Sequence, residues 1–176
     1  MEDVIPYLPM SQLSKSPFYN ILLADDDNDD CLLFTDALND MPLVTQLTTV
    51  RHGEELMLHL HAKEELPDLL FLDLNMPRKN GFECLIEIKQ SEKLSAIPVI
   101  IFSTSFEPDI VKRLYRNGAR YYICKPNAFD HLVILIHRAI TVTLQENHFQ
   151  IPMEKFVLSP ESCFNESFKR KSAFKL

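Results

Sequence analysis

The stretch PDLLFLDLNMPRKNG, residues 67–81, decides the fold that this sequence predicts. Four apolar residues lead directly into a lone carboxylate, Asp73, and the chain then turns through a loop that contains a proline and an Asn-Gly pair. A short apolar run that ends in turn residues is typical of a strand buried on both faces, as in a parallel sheet covered by helices. Asp73 would then lie at the carboxyl end of a central strand, where open α/β sheets bind ligands.

The chain on both sides of this stretch alternates between strand and helix patterns. The predicted strands are residues 21–24, 43–50, 69–72, 99–102 and 121–124. An apolar helical pattern follows each strand, and in the first helix the residues expected on the buried side are Leu32, Leu33, Ala37 and Leu38. Five repeats of strand and helix predict the α/β class, with a doubly wound five-stranded parallel sheet and helices on both faces.

Composition limits the class of protein. The chain of 176 residues is 46% hydrophobic and 24% charged, which is enough to bury one sizeable core. Its net charge of −7 gives no overall basic field, so we expect no general affinity for DNA. The amino terminus lacks the basic start and apolar core of a secretory signal, and no apolar run approaches the roughly 20 residues that span a bilayer. These features predict a cytoplasmic protein with no membrane partner.

The chain has room for one domain with an extension at each end. Residues 1–19 contain three prolines and predict an irregular N-terminal arm, residues 20–146 carry the alternating pattern, and residues 147–176 form a C-terminal tail. The tail is too short for a DNA-binding or catalytic output domain. Because two prolines interrupt it, we expect a solvated, partly disordered tail rather than a docking helix built on Phe164 and Phe168.

Charged or hydroxyl residues follow four of the five predicted strands. They are Asp25 and Asp26, Asp73, Ser103, and Lys125. In a parallel sheet all four strand ends lie on one edge, where three carboxylates would raise one another's pKa unless a cation lay between them. Carboxylate oxygens favour Mg²⁺. Each residue alone has an ordinary interpretation, as a cap, a turn former or a solvated charge, so it is their joint occurrence that points to a site.

Such a site has a specific chemistry. With a metal in place, Asp73 is a plausible nucleophile toward an activated phosphoryl group, which would give an aspartyl phosphate. Lys125 and the Ser103 hydroxyl could then hold two phosphoryl oxygens. A hydrolytic phosphatase could use the same nucleophile, but Asn75 stands where such an enzyme would need a second acid.

The motifs ILLADDD, FLDLNMPRKNG, PVIIFSTS and YYICKP resemble, in this order, those of the receiver domain of two-component response regulators. The resemblance covers about residues 19–143 and implies the flavodoxin-like receiver fold, with strand order 2-1-3-4-5. The segments RHGEEL and FSTS also resemble the single-domain receivers associated with bacterial phytochromes.

The resemblance implies a role for each residue of the acidic site. Asp73 would accept a phosphoryl group from a sensor histidine kinase. Asp26 would bind Mg²⁺ directly, Asp25 would bind it through water, and the backbone carbonyl of Asn75 would be a further ligand. Lys125 would contact the phosphoryl group.

The resemblance also implies a switch. Ser103 would be the switch hydroxyl, and Tyr122 the switch aromatic that turns inward when Ser103 moves toward the phosphoryl group. Asp27 matches a variable position and is interpreted as a helix cap.

These roles predict a stand-alone response regulator, a signalling phosphoacceptor that assists its own phosphorylation and dephosphorylation rather than an enzyme. Phosphorylation would change the surface formed by the fourth helix, fifth strand and fifth helix, toward an unknown downstream protein or a homodimer. One alternative is a phosphorelay intermediate that passes the phosphoryl group to a histidine phosphotransfer protein. Another is a degenerate receiver that acts only as a binding module.

Overall fold

The computed structural model describes residues 18–145 and 151–160. Most of the predicted arm, and the part of the tail that contains Phe164 and Phe168, lie outside the described residues. Within the described ranges no helix is both long enough and apolar enough to cross a membrane.

Strands and helices alternate as the sequence predicts. The strands are β1 (Phe18–Ala24), β2 (Val44–Val50), β3 (Leu69–Leu72), β4 (Val99–Ser103), β5 (Tyr121–Cys124) and β6 (Val157–Leu158). The helices are α1 (Asn28–Asn39), α2 (Gly53–Ala62), α3 (Gly81–Gln90), α4 (Pro108–Arg116) and α5 (Phe129–Gln145). A short 3-10 helix, Met153–Lys155, precedes β6.

The described residues form one sheet of six strands in the order β2-β1-β3-β4-β5-β6, and each neighbouring pair is parallel. This confirms the predicted α/β fold and the order 2-1-3-4-5, to which β6 adds a further strand. Every residue of β3 and β4 is buried, as expected for central strands covered on both faces. Helix α1 packs beside α5, and α2 packs beside α3.

Three phenylalanines pack α1 against the central strands. The ring of Phe34 in α1 lies 4.8 Å from that of Phe71 in β3 and 5.6 Å from that of Phe102 in β4, centroid to centroid, and both pairs meet edge to face. Edge-to-face contact between buried rings adds to the stabilisation that burial alone gives. The cluster therefore holds α1, which directly follows the acidic loop, against β3 and β4.

The predicted buried side of α1 is wrong in part. Leu32 and Leu33 are 64% and 44% exposed, and the buried residues are Cys31, Phe34, Ala37 and Leu38. The helix starts at Asn28 because the Asp27 side chain accepts hydrogen bonds from the backbone amides of Asp29 and Asp30, which confirms Asp27 as the cap. That start sets the helical phase and turns positions 31, 34 and 38 toward the sheet.

The prediction of a solvated tail is wrong for residues 151–158. Ile151, Phe156 and Leu158 are all buried, and β6 pairs in parallel with β5. A strand of two residues is too short to produce a periodic sequence pattern, and the proline at position 152 indicated a break in structure. The edge of the sheet at β5 is therefore covered by β6.

Candidate functional site

The ends of four strands bring the candidate residues together. Asp73 follows β3 directly, and its backbone amide donates to the carbonyl of Ala24 at 2.9 Å. The backbone amide of Lys125 likewise donates to the carbonyl of Ser103 at 3.0 Å, and that of Asp25 to Val50 at 3.0 Å. Each of these hydrogen bonds continues the ladder of the sheet by one step, so the backbone of the strands sets the spacing of the site.

Three carboxylates meet at this edge. Asp25, Asp26 and Asp73 each offer an oxygen, and these oxygens all lie within 4.8 Å of one another. Asp25 is 1% and Asp73 5% exposed, whereas Asp26 faces solvent. A set of hard oxygen donors that is open to solvent on one side suits a divalent cation that keeps some of its waters.

Lys125 supplies the positive charge that this cluster needs. Its Nζ donates hydrogen bonds to Asp25 Oδ2 and Asp30 Oδ2, both at 2.7 Å, and lies 3.7 Å from Asp73 Oδ1. It also lies 5.1 Å from the centre of the Phe102 ring. Burial alone lowers the pKa of Lys125, but the hydrogen bonds to the two carboxylates outweigh it and hold that pKa above its usual value. Lys125 is therefore charged at neutral pH.

The pKa of Asp25 moves in the opposite sense to that of an ordinary ion-paired carboxylate. Burial raises it, and this effect exceeds the lowering by the hydrogen bond and charge of Lys125; the nearby charge of Asp73 raises it further. A cation bound between these carboxylates would oppose that shift, because it favours their ionised forms. The buried acids thus have an electrostatic reason to bind metal.

Sequence reasoning missed Asp30, the second carboxylate that binds Lys125. It lies in the first turn of α1, and the helix cap at Asp27 turns its side chain back toward the site. The acidic run of residues 25–30 pointed to this region. Which of its side chains faces Lys125 depends on where α1 begins, and the run alone does not show that.

The loop after β3 fixes the carboxylate of Asp73. Its Oδ2 accepts a hydrogen bond from the backbone amide of Asn75 at 2.8 Å, which leaves Oδ1 toward Lys125. Gly81 closes this loop against Asp73, with its amide donating to the Leu74 carbonyl at 3.0 Å. A Cβ at position 81 would overlap the backbone carbonyl oxygen of Asp73, so only glycine fits there.

Ser103 and Tyr122 are linked through Ser105. Ser103 is fully buried, and its Oγ accepts a hydrogen bond from the Ser105 amide at 3.5 Å. The Tyr122 hydroxyl donates to the backbone carbonyl of Ser105. The Tyr122 ring is 1% exposed, so it already occupies an inward position in this structure. Burial, the largest cause, raises the pKa of Tyr122 to about 12.

Two phenylalanines that sequence reasoning did not connect with the site enclose Tyr122. Phe106 lies 5.8 Å from its ring centroid and Phe156 lies 6.4 Å from it. Because Phe106 directly follows the hydroxyl-rich end of β4, the sequence could have indicated that it lies near the site. Phe156 belongs to the tail, and no local pattern links it to β5.

Comparison with known proteins decides the family of this chain. Residues 21–137 match the model of the response regulator receiver domain. The chain belongs to this family. The match covers Asp25, Asp26 and Asp73, as well as Ser103 and Lys125.

Individual receivers are similar over most of their length. The probable methanogenesis regulatory protein FilR2 of Methanothrix harundinacea is 35% identical over 123 residues, which are 68% of this chain and 79% of FilR2. Response regulator Rcp1 of Synechocystis sp. is 36% identical over 121 residues, which are 66% of this chain and 82% of Rcp1.

Solved receiver structures confirm both the fold and the likeness to phytochrome response regulators. The phosphorylated cyanobacterial phytochrome response regulator RcpA is 33% identical, with a TM-score of 0.68, over 73% of this chain and 96% of RcpA. The Mn(2+)-bound form of response regulator Rcp1 is 29% identical, with a TM-score of 0.64, over 76% of this chain and 99% of that structure.

Proposed function

We propose that this receiver is a stand-alone, Mg²⁺-dependent phosphorylation switch in which Asp73 accepts a phosphoryl group from a sensor histidine kinase. The convergence of Asp73 with two further carboxylates and a charged lysine, whose side chain is 9% exposed, at one edge of the sheet carries this proposal. The residues that would hold the metal are Asp25, Asp26, Asp73 and the backbone carbonyl of Asn75. Bound there, Mg²⁺ would neutralise charge on the transferring phosphoryl group.

The nucleophile is a carboxylate oxygen of Asp73. A new P–O bond forms to this oxygen as the P–N bond to the histidine of the kinase breaks, and the imidazole leaves with the bonding electron pair. The backbone amide of Asn75 donates to one oxygen of Asp73 and so fixes the rotation of the carboxylate before the reaction. Pre-orientation of this kind lowers the entropic part of the barrier.

Lys125 and Ser103 would stabilise the product. Lys125 already lies 3.7 Å from Asp73 Oδ1, close enough to reach a phosphoryl oxygen after a small shift. Ser103 ends the neighbouring strand β4 and carries the hydroxyl that would bind a second phosphoryl oxygen. Because Ser103 and Tyr122 share the Ser105 backbone, movement at the phosphoryl group would reach the surface of α4, β5 and α5 through Ser105.

Intact mass spectrometry tests the chemistry. After incubation with a small phosphodonor and Mg²⁺ we expect one phosphoryl adduct, which should be absent from Asp73→Asn and from a sample with the metal chelated. Asp68→Asn is a matched control, because Asp68 lies at the opposite end of β3, where it accepts a hydrogen bond from Asn20, and it should leave the adduct unchanged. An adduct that persists in Asp73→Asn would contradict the assignment of the phosphoacceptor.

A second experiment distinguishes a switch that acts through its surface from a phosphorelay intermediate. Loaded protein that keeps its adduct in the presence of a histidine phosphotransfer protein would support a switch that acts through its surface. Rapid transfer to that histidine would instead identify a phosphorelay intermediate with the same chemistry at Asp73.

A further inference from the structure

The end of the described chain packs directly on the strand that carries Tyr122. We call residues 151–158 the edge segment. The carbonyl of Ile151 accepts a hydrogen bond from the Tyr115 hydroxyl at 2.8 Å, and the carbonyl of Phe156 accepts one from the Tyr122 amide at 2.9 Å. The segment therefore attaches to both α4 and β5, the elements on which the proposed output depends.

Phe156 is the anchor of the edge segment. Its side chain is 0% exposed, and its ring lies 5.3 Å from that of Tyr115 and 6.4 Å from that of Tyr122, centroid to centroid. Phe106 makes a further ring contact with Tyr122, at 5.8 Å. The Tyr122 ring thus has an aromatic neighbour from the β4–α4 connection and another from the edge segment.

The inward position of Tyr122 also organises the loop that follows Ser103. The Tyr122 hydroxyl binds the Ser105 carbonyl, the Ser105 amide donates to Ser103 Oγ, and the Asn75 side chain donates to Ser105 Oγ at 3.3 Å. Ser105 is consequently held from three directions. Without the hydrogen bond from Tyr122, one of these constraints on the loop is lost, and the Ser103 hydroxyl is less well positioned for a phosphoryl oxygen.

We propose that Phe156 is a positioning residue for the phosphorylation site. By occupying the space beside Tyr122, it keeps the tyrosine ring inward and thereby strengthens the binding of a phosphoryl group at Asp73. This inference rests on the proposed function. Because coupling between two sites is reciprocal, a phosphoryl group must strengthen the attachment of the edge segment by the same factor.

The test uses beryllofluoride, a phosphoryl mimic, in the presence of Mg²⁺. We expect Phe156→Ala to bind beryllofluoride about tenfold more weakly than the wild type, within the usual range of coupling between sites. Phe156→Leu keeps an apolar side chain against Tyr122 and should recover most of the affinity. Met57→Ala removes a buried side chain from α2, far along the chain from the edge segment, and controls for general loss of stability. Its affinity should match that of the wild type.

A double substitution tests whether Phe156 acts through Tyr122. In a Tyr122→Phe background the hydroxyl contact with Ser105 is absent, so Phe156→Ala should change the affinity by less than about twofold. An equal loss in both backgrounds would overturn the proposed route. So would a folded Phe156→Ala protein that binds beryllofluoride as tightly as the wild type.

Hydrogen exchange of the wild-type protein provides a further test that needs no substitution. The amide of Tyr122 donates to Phe156 and is released when the edge segment detaches. Beryllofluoride should slow its exchange by about the same factor of ten, as reciprocity requires. Unchanged or faster exchange would overturn the inference. Failure of the wild type to bind beryllofluoride at all would instead contradict the proposed function, so the two failures are distinguishable.

Discussion

The acidic site and the edge segment are held in different ways. Asp73 and Lys125 directly follow strands of the sheet, and backbone hydrogen bonds to neighbouring strands fix both. The edge segment has a strand of two residues, the anchoring ring of Phe156 and hydrogen bonds to Tyr115 and Tyr122, all at the border of the sheet. Local opening costs least where few buried contacts must break. The difference fits the switch that we propose, in which a chemical site fixed by the sheet is coupled to a border that opens more easily.

The largest effect that we predict tests the rigid site. Gly81→Ala places a Cβ into the backbone of Asp73 and should lower the free energy of unfolding by about 4 kcal/mol, since neither backbone segment can yield without breaking the loop. Gly118→Ala is the matched control. A Cβ at position 118 would contact the flexible side chain of Lys89, but the alanine must adopt a φ of 85°. We therefore expect the free energy of unfolding to fall by about 1 kcal/mol. Urea unfolding measures both, and similar losses would show that the loop at Asp73 is not rigid.

The next prediction concerns the charge of Lys125. Lys125→Met leaves the buried carboxylates of Asp25 and Asp73 without their cation, which should lower the free energy of unfolding by about 3 kcal/mol at neutral pH without metal. The loss should be smaller at pH 5 than at pH 8. A carboxyl whose folded pKa is raised binds its proton more readily in the folded state, and protonation removes the unpaired charge.

Chemical denaturation at the two pH values, with Mg²⁺ absent and present, measures this effect. Lys93→Met is the control, because Lys93 is exposed and its Nζ binds the backbone carbonyls of His61 and Lys63. It should change stability by at most about 0.5 kcal/mol. If Lys125→Met behaved in the same way, the lysine would not be the counter-charge of the site.

Metal binding gives a smaller effect. In the proposed function Mg²⁺ binds the folded state alone, so at ten times its dissociation constant it should raise the free energy of unfolding by about 1.4 kcal/mol. Asp26→Asn removes a solvent-facing donor of the acidic cluster and should abolish most of this gain with little effect on the metal-free protein. Thermal unfolding with and without Mg²⁺ checks both statements. Full stabilisation of Asp26→Asn would exclude Asp26 as a ligand.

The contrast between the two regions also explains how much could be predicted from sequence. Asp73 and Lys125 each follow an apolar run directly, so identifying the strand was enough to place the side chain at the edge of the sheet. To place the Asp30 side chain, one must know where α1 begins, and the capping hydrogen bonds of Asp27 determine that. The place of Phe156 depends on a contact between distant segments of the chain. No local pattern encodes that contact, because the strand that follows Phe156 is only two residues long. Local patterns thus predicted the rigid site, and long-range packing determined the border.

The smallest predicted effect lies where the two regions meet, at Tyr122. Burial raises its folded pKa to about 12, whereas an unfolded tyrosine titrates near 10. Between these values the unfolded chain releases a proton that the folded protein keeps, so the unfolded state binds fewer protons and stability falls as pH rises. The contribution of Tyr122 is complete below pH 10 and is lost as pH rises through 12.

Comparison with Tyr122→Phe isolates this contribution, since the phenylalanine has no proton to release. From pH 9 to pH 11 the wild type should lose about 1 kcal/mol more stability in urea than Tyr122→Phe does. Ile123→Val, at the next position of β5, lowers stability without changing an ionisable group, so its difference from the wild type should be equal at both pH values. If Tyr122→Phe behaved like Ile123→Val, the tyrosine would be reached by solvent in the folded protein, and the enclosure of its ring by Phe106 and Phe156 would be too loose to connect the edge segment with the acidic site.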